Sequence, residues 1–75
     1  MGEKLPRLTA RQIVKVLGKL GFREVRSSGS HRIYRSESGL RATVPFHSKI
    51  ILHPKIIKTI LQDSDLTVKR LKELL

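Results

Sequence analysis

The 75-residue chain has no cysteine and no tryptophan, and its aromatic residues are only Tyr34, Phe22 and Phe46. Without cysteine, neither a disulfide framework nor a thiolate metal site can staple so short a fold. The core must then be built mainly from Leu, Ile and Val, near the lower size limit for independent stability. The same absence fits a reducing compartment, and a soluble cytoplasmic protein is the plain expectation. Long apolar runs are missing too. The longest, Ile50-Ile51-Leu52, is far too short to span a bilayer, and Met1-Gly2-Glu3-Lys4-Leu5-Pro6 lacks the apolar centre of a signal peptide. The expectation is one domain over residues 1–75 with no membrane segment.

Acids are scarce and scattered. Glu3, Glu24, Glu37, Asp63, Asp65 and Glu73 form no cluster able to hold Mg²⁺, and Asp63-Ser64-Asp65 suits the end of a helix. Three histidines without cysteine make a poor zinc set, and no P-loop, G-x-G-x-x-G, G-x-S-x-G or H-E-x-x-H motif occurs. No metal or cofactor is expected. Against the 6 acids stand 16 Lys and Arg, for a formal net charge of +10. They run along the whole chain with no terminal block, which describes a basic folded surface and not a disordered arm. Part of this charge serves solubility. The field as a whole favours a polyanion, nucleic acid ahead of anionic lipid, because a membrane-surface helix would need Trp or Phe opposite its basic face.

Local signals lay out the elements. Thr9-Ala10-Arg11-Gln12 reads as a capping box, with Leu8 and Ile13 placed for a hydrophobic staple. Ile13, Val16, Leu17 and Leu20 follow at helical spacing until Gly21, where Phe22 can fold back in a Schellman stop. Gly18, costly inside a helix, hints at close approach to a neighbouring element. Strands are expected over 22–26, 30–35 and 40–45, with a turn at Ser27-Ser28-Gly29, a hairpin at Ser36-Glu37-Ser38-Gly39, and Pro45 at a strand end or sheet edge. Pro54 suits the first position of a second helix carrying Ile56, Ile57, Ile60 and Leu61, with His53 as its cap or facing solvent. Thr67 caps a short last helix with Val68, Leu71 and Leu74. The fold class is α+β, a double-stranded-RNA-binding-like α-β-β-β-α layout. It has a three-stranded antiparallel sheet, helices on one face, and a short C-terminal helix.

The segment Gly29-Ser30-His31-Arg32-Ile33-Tyr34 carries the candidate chemistry. Gly29 lets a backbone approach a ligand, Ser30 can donate to a phosphate oxygen, and the imidazole of His31 can exchange a proton. His47, 16 residues on, follows Val44-Pro45-Phe46 where antiparallel pairing returns the chain toward His31. Two such imidazoles can act as acid and base on a phosphodiester. Arg26, Arg32, Arg35 or Lys49 would steady the charge of a phosphorane, and Arg41 adds to the basic surface. Parity groups His31 with Ile33 and Arg32 with Tyr34, and either set can face the core.

Taken together, Leu20-Gly21-Phe22, Gly29-Ser30-His31-Arg32-Ile33-Tyr34, Gly39-Leu40-Arg41, Val44-Pro45-Phe46-His47 and Ile57-Lys58-Thr59-Ile60-Leu61 resemble the HicA (YcfA-like) family. The resemblance runs from about Thr9 to Leu66. It departs at His53-Pro54-Lys55, where a more polar, often Gly-containing helix start is usual, and at Ser64, where Gly is common. It implies a toxin of a toxin–antitoxin pair that cleaves mRNA without a metal, with His31 as the essential histidine. His47 is implied in structural or substrate-binding support, and a HicB-like antitoxin is the implied partner, covering the active surface. Two other readings stand beside it: a non-catalytic RNA-binding module of the same fold, and a helix-turn-helix DNA binder, which strand-like sequence after the first helix disfavours.

Overall fold

The computed structural model describes residues 4–46 and 50–75. Among them the elements run α1 (Ala10–Lys19), β1 (Arg23–Ser28), β2 (His31–Arg35), β3 (Arg41–Pro45), α2 (Pro54–Asp63) and α3 (Val68–Leu74). The sheet is antiparallel throughout, in the order β1-β2-β3. The element directly after α1 is a strand, so the helix-turn-helix reading has no recognition helix. None of the described helices is long and apolar enough to cross a membrane.

The helix ends are set by local hydrogen bonds. Thr9 Oγ1 accepts from the Gln12 amide at 3.3 Å while Gln12 Oε1 accepts from the Thr9 amide at 2.9 Å, closing the capping box. At the other end of α1, Gly21 has φ 89°, and the Phe22 and Gly21 amides donate back to Leu17 and Gly18. That left-handed residue completes a Schellman stop and turns Phe22 into the core. The stop of α2 repeats the pattern without glycine. Asp65 takes φ 55°, and the Leu66 amide donates to the Leu61 carbonyl at 2.8 Å. Ser64, where the family pattern favours Gly, is instead the buried helix cap, and its hydroxyl donates to the Ile60 carbonyl at 2.6 Å. His53 caps the start of α2, its Nδ1 accepting from the Lys55 amide at 3.1 Å.

Gly18 does not mark a close approach. It is exposed, and a Cβ built there meets nothing within 4 Å. Its cost is therefore conformational and uncompensated. Gly18→Ala is expected to stabilise the fold by about 1 kcal/mol. The check is a higher urea midpoint at unchanged m-value.

The core is one cluster in which Leu8, Ile13, Leu17, Ile57, Ile60, Leu71, Val16 and Val44 are the largest fully buried side chains. The sheet adds Tyr34, Ala42 and Val44 to it, and α1 and α2 pack on that face. Tyr34 decides the parity of β2: because it faces the helices, His31 and Ile33 face away. Burial of Tyr34 pushes its phenol above the ordinary value of 10.0, and the neighbouring Arg32 opposes that rise in part. The Tyr34 hydroxyl points to Glu24 Oε1 at 3.4 Å.

Strand β1 differs from the expected 22–26. It extends through Ser27 and Ser28, and all six of its residues are exposed. Its register with β2 jumps between Glu24 and Arg26, leaving Val25 as the extra residue of a β-bulge. A strand buried on neither face shows no alternation to read, and pairing with β2, not propensity, holds its serines extended. The bulge and the charges of Arg23, Glu24 and Arg26 also blunt an open sheet edge.

Candidate nucleic-acid interface

The β1–β2 connection is a two-residue hairpin turn, Gly29-Ser30, between the paired residues Ser28 and His31. Gly29 has φ 59°, the positive value that a II′-type hairpin turn needs at its first central position. The turn therefore falls one residue later than expected, and Ser30 lies in it, outside β2. The Ser30 carbonyl accepts the Phe46 amide, so the end of β3 closes onto the turn that precedes His31. His31 itself pairs with Ser28 on one side and Pro45 on the other.

Register then builds two unlike faces. On the helix side the rungs are Glu24–Tyr34–Ala42 and Ser27–Arg32–Val44. On the outer side they are Ser28–His31–Pro45, Arg26–Ile33–Thr43 and Arg23–Arg35–Arg41. His31 is exposed, as are Arg23, Arg26, Arg35 and Arg41. The ion pairs Arg32–Glu24 and Arg70–Glu73 leave out the outer-face arginines, so no described acid pairs with them. Arg26 is the diagonal neighbour of His31, at a separation of about 7–8 Å between Cα atoms. Of the described outer-face arginines it is the one whose rung adjoins that of His31.

Not every expected residue shares that face. Arg32 lies on the helix side, its guanidinium 3.8 Å from the centroid of the Phe46 ring and 3.7 Å from Glu24 Oε1. It braces β2 against the segment after β3 by a cation–π contact and against β1 by an ion pair. Gly29 and Ser30 sit in the turn beside His31, and Arg26, Arg35 and Arg41 share its face. His47 and Lys49 lie outside the described residues, so the approach of His47 to His31 does too. Among the described residues no three His, Asp or Glu side chains gather into a metal-holding group.

Arg23 and Phe46 were not singled out in the sequence. In unbroken alternation Arg23 would share a face with Val25 and oppose Arg26. The bulge at Val25 puts Arg23 and Arg26 on the same side, and nothing in Arg-Glu-Val-Arg announces it. Phe46 carried a signal, being one of three aromatic residues beside a strand-ending proline.

The arrangement suits an extended polyanion laid across an open, helix-free sheet face, with one imidazole at its hairpin end and arginines beyond. The family model for the HicA toxin of bacterial toxin–antitoxin systems matches residues 10–66, which include the whole sheet and His31. No curated protein matches the chain.

Proposed function

The chain belongs to the HicA toxin family, and on that footing we propose that it is a metal-independent mRNA endoribonuclease with His31 as general base. Membership gives it a toxin's role and an antitoxin partner. What supports the chemistry is one observation: His31 stands exposed on the outer sheet face among arginines that no described acid pairs with.

In this reading the imidazole of His31 takes the proton of a ribose 2′-hydroxyl. The 2′-oxygen attacks the adjacent phosphorus, the bond from phosphorus to the 5′-oxygen breaks, and the leaving oxygen takes a proton from water. The products are a 2′,3′-cyclic phosphate and a 5′-hydroxyl. Charge growing on the phosphorane is met by Arg26, the outer-face arginine on the rung next to His31. Ser30 and the Gly29 backbone hold a phosphate oxygen beside the base, and Arg35 and Arg41 contribute to RNA binding. His47 and Lys49 support substrate binding without a step of their own. The need for a 2′-hydroxyl selects RNA over DNA, and the absence of tryptophan with few other aromatics leaves little base stacking. A HicB-like antitoxin would silence the protein in the cytoplasm by covering this face.

One observation favours the second reading, a non-catalytic RNA-binding module. The side chain of His31 makes no hydrogen bond to the described residues, so no partner there orients the imidazole as catalytic bases usually are. Labelled single-stranded RNA incubated with the protein in EDTA separates the two. Cyclic-phosphate ends on RNA, and no cutting of the same sequence as DNA, are the expected result. Binding without cleavage would hand the case to the module, and cleavage only on adding a divalent cation would sink the metal-free mechanism.

A further inference from the structure

Resting on the ribonuclease reading, we propose that Arg23, Arg35 and Arg41 form a phosphate-binding track. It would grip the RNA strand a few nucleotides away from the bond cut at His31.

The three arginines are a single rung of the sheet. Arg23 pairs with Arg35 and Arg35 with Arg41, so one guanidinium-bearing side chain rises from each strand on the outer face. All three are exposed, and no described acid pairs with any of them. The nearest acid in β1, Glu24, serves Arg32 on the opposite face. Like charges directly opposite one another in a sheet are destabilising. This rung sets three side by side with no acid to relieve them, and a bound anion would.

Position ties the rung to His31. Arg35 lies four residues along β2 from His31, roughly 13 Å at the rise of an antiparallel strand. Arg26 stands on the rung between them, so cations continue from the hairpin turn to the far end of the sheet. The rung itself spans roughly 10 Å across three strands. Planar guanidinium forks suit phosphate oxygens, and neighbouring phosphates of one strand can occupy more than one of them.

Chemistry favours RNA over an acidic protein surface as the occupant. The outer rungs hold no aromatic side chain, and their half-buried residues are Ile33 and Pro45. Arginine is a common hot spot of protein interfaces, but one seated in a desolvated core, and this exposed rung has no such core around it. Phosphate contacts need none, and they make a track indifferent to base sequence.

The experiment uses the full chain and a 2′-O-methylated single-stranded oligonucleotide, which binds without being cut. Salt titrations compare wild type, an Arg23→Gln, Arg35→Gln, Arg41→Gln triple variant, and a charge-matched Arg11→Gln, Lys15→Gln, Lys69→Gln control on the exposed helix surfaces. Each phosphate contact to a single strand contributes about 0.7 to the slope of log K against log salt. The track variant is therefore expected to lose about 2 units of slope, with the control losing much less. Equal losses in the two variants would reduce the rung to general net charge and overturn the track while leaving RNA binding intact. Competition by poly-L-glutamate that depends on the three arginines, with oligonucleotide binding unchanged in the track variant, would make the rung a protein-docking surface and also overturn it. Failure of the wild type to bind the oligonucleotide at all would remove the ribonuclease reading and the track together.

Discussion

Replacing His31 with alanine is expected to slow RNA cleavage by about 10²–10⁴-fold, the range a positioned general base supplies, with little change in RNA affinity. The position makes this a clean test. His31 is exposed and outside the core, and its backbone, not its side chain, pairs with Ser28 and Pro45. Loss of an exposed side chain free of such features seldom moves stability by more than about 0.5 kcal/mol, so inactivity would not be misfolding. The single-site effect also differs in kind from that of the arginines. Removing the proton acceptor lowers turnover at saturating RNA, whereas removing phosphate contacts raises the RNA concentration needed to saturate. Added free imidazole should restore part of the alanine variant's rate if a missing base is the defect. A variant that cuts at the wild-type rate would mean that the proton goes elsewhere, and the family resemblance would then have assigned the wrong role to this histidine.

The parts of the fold that were legible in sequence are those decided within a few residues. Thr9 and Gln12 satisfy each other across one helical turn, Gly21 supplies the left-handed stop, Pro54 opens α2 behind His53, and Thr67 caps α3. None of these needs the rest of the molecule. The candidate site is different because its geometry depends on which face of a two-sided strand meets the helices. Ile33 and Tyr34 are both apolar and point in opposite directions, so β2 alone does not say where His31 goes. Pairing settles it: Tyr34 lies opposite Ala42, and Ala42 and Val44 are buried under α1 and α2. With β2 so fixed, Arg32 goes inward to Phe46 and Glu24, away from the phosphate-facing set it was grouped with in sequence. The bulge at Val25 is the other long-range decision. It aligns Arg23 with Arg35 and Arg41, and so creates the rung that strict alternation would have broken.

Truncation of Leu71 to alanine is expected to cost about 2–5 kcal/mol, although Leu71 lies beyond the residues 10–66 that match the family model. A seven-residue helix has no standing of its own in water, so α3 exists because it is docked. Leu71 is its anchor, 0% exposed among the core side chains. Thr67 Oγ1 accepts the Arg70 amide at 3.1 Å to start the helix, and Lys19 Nζ donates to the Leu74 carbonyl at 2.7 Å to tie its end to α1. At roughly 0.05–0.15 kcal/mol per residue, a chain this short has a total stability of about 4–11 kcal/mol, so one cavity removes a large share of it. The thermal midpoint should fall by at least about 10 °C, against a small change for Leu75→Ala, whose side chain is 52% exposed. Cleavage by the Leu71 variant, assayed well below its midpoint, should fall only by the fraction unfolded, because α3 supplies nothing to the outer sheet face. A midpoint shift no larger than that of Leu75→Ala would mean that α3 is not docked in solution. A folded but inactive Leu71 variant would instead mean that the segment after residue 66 takes part in the reaction.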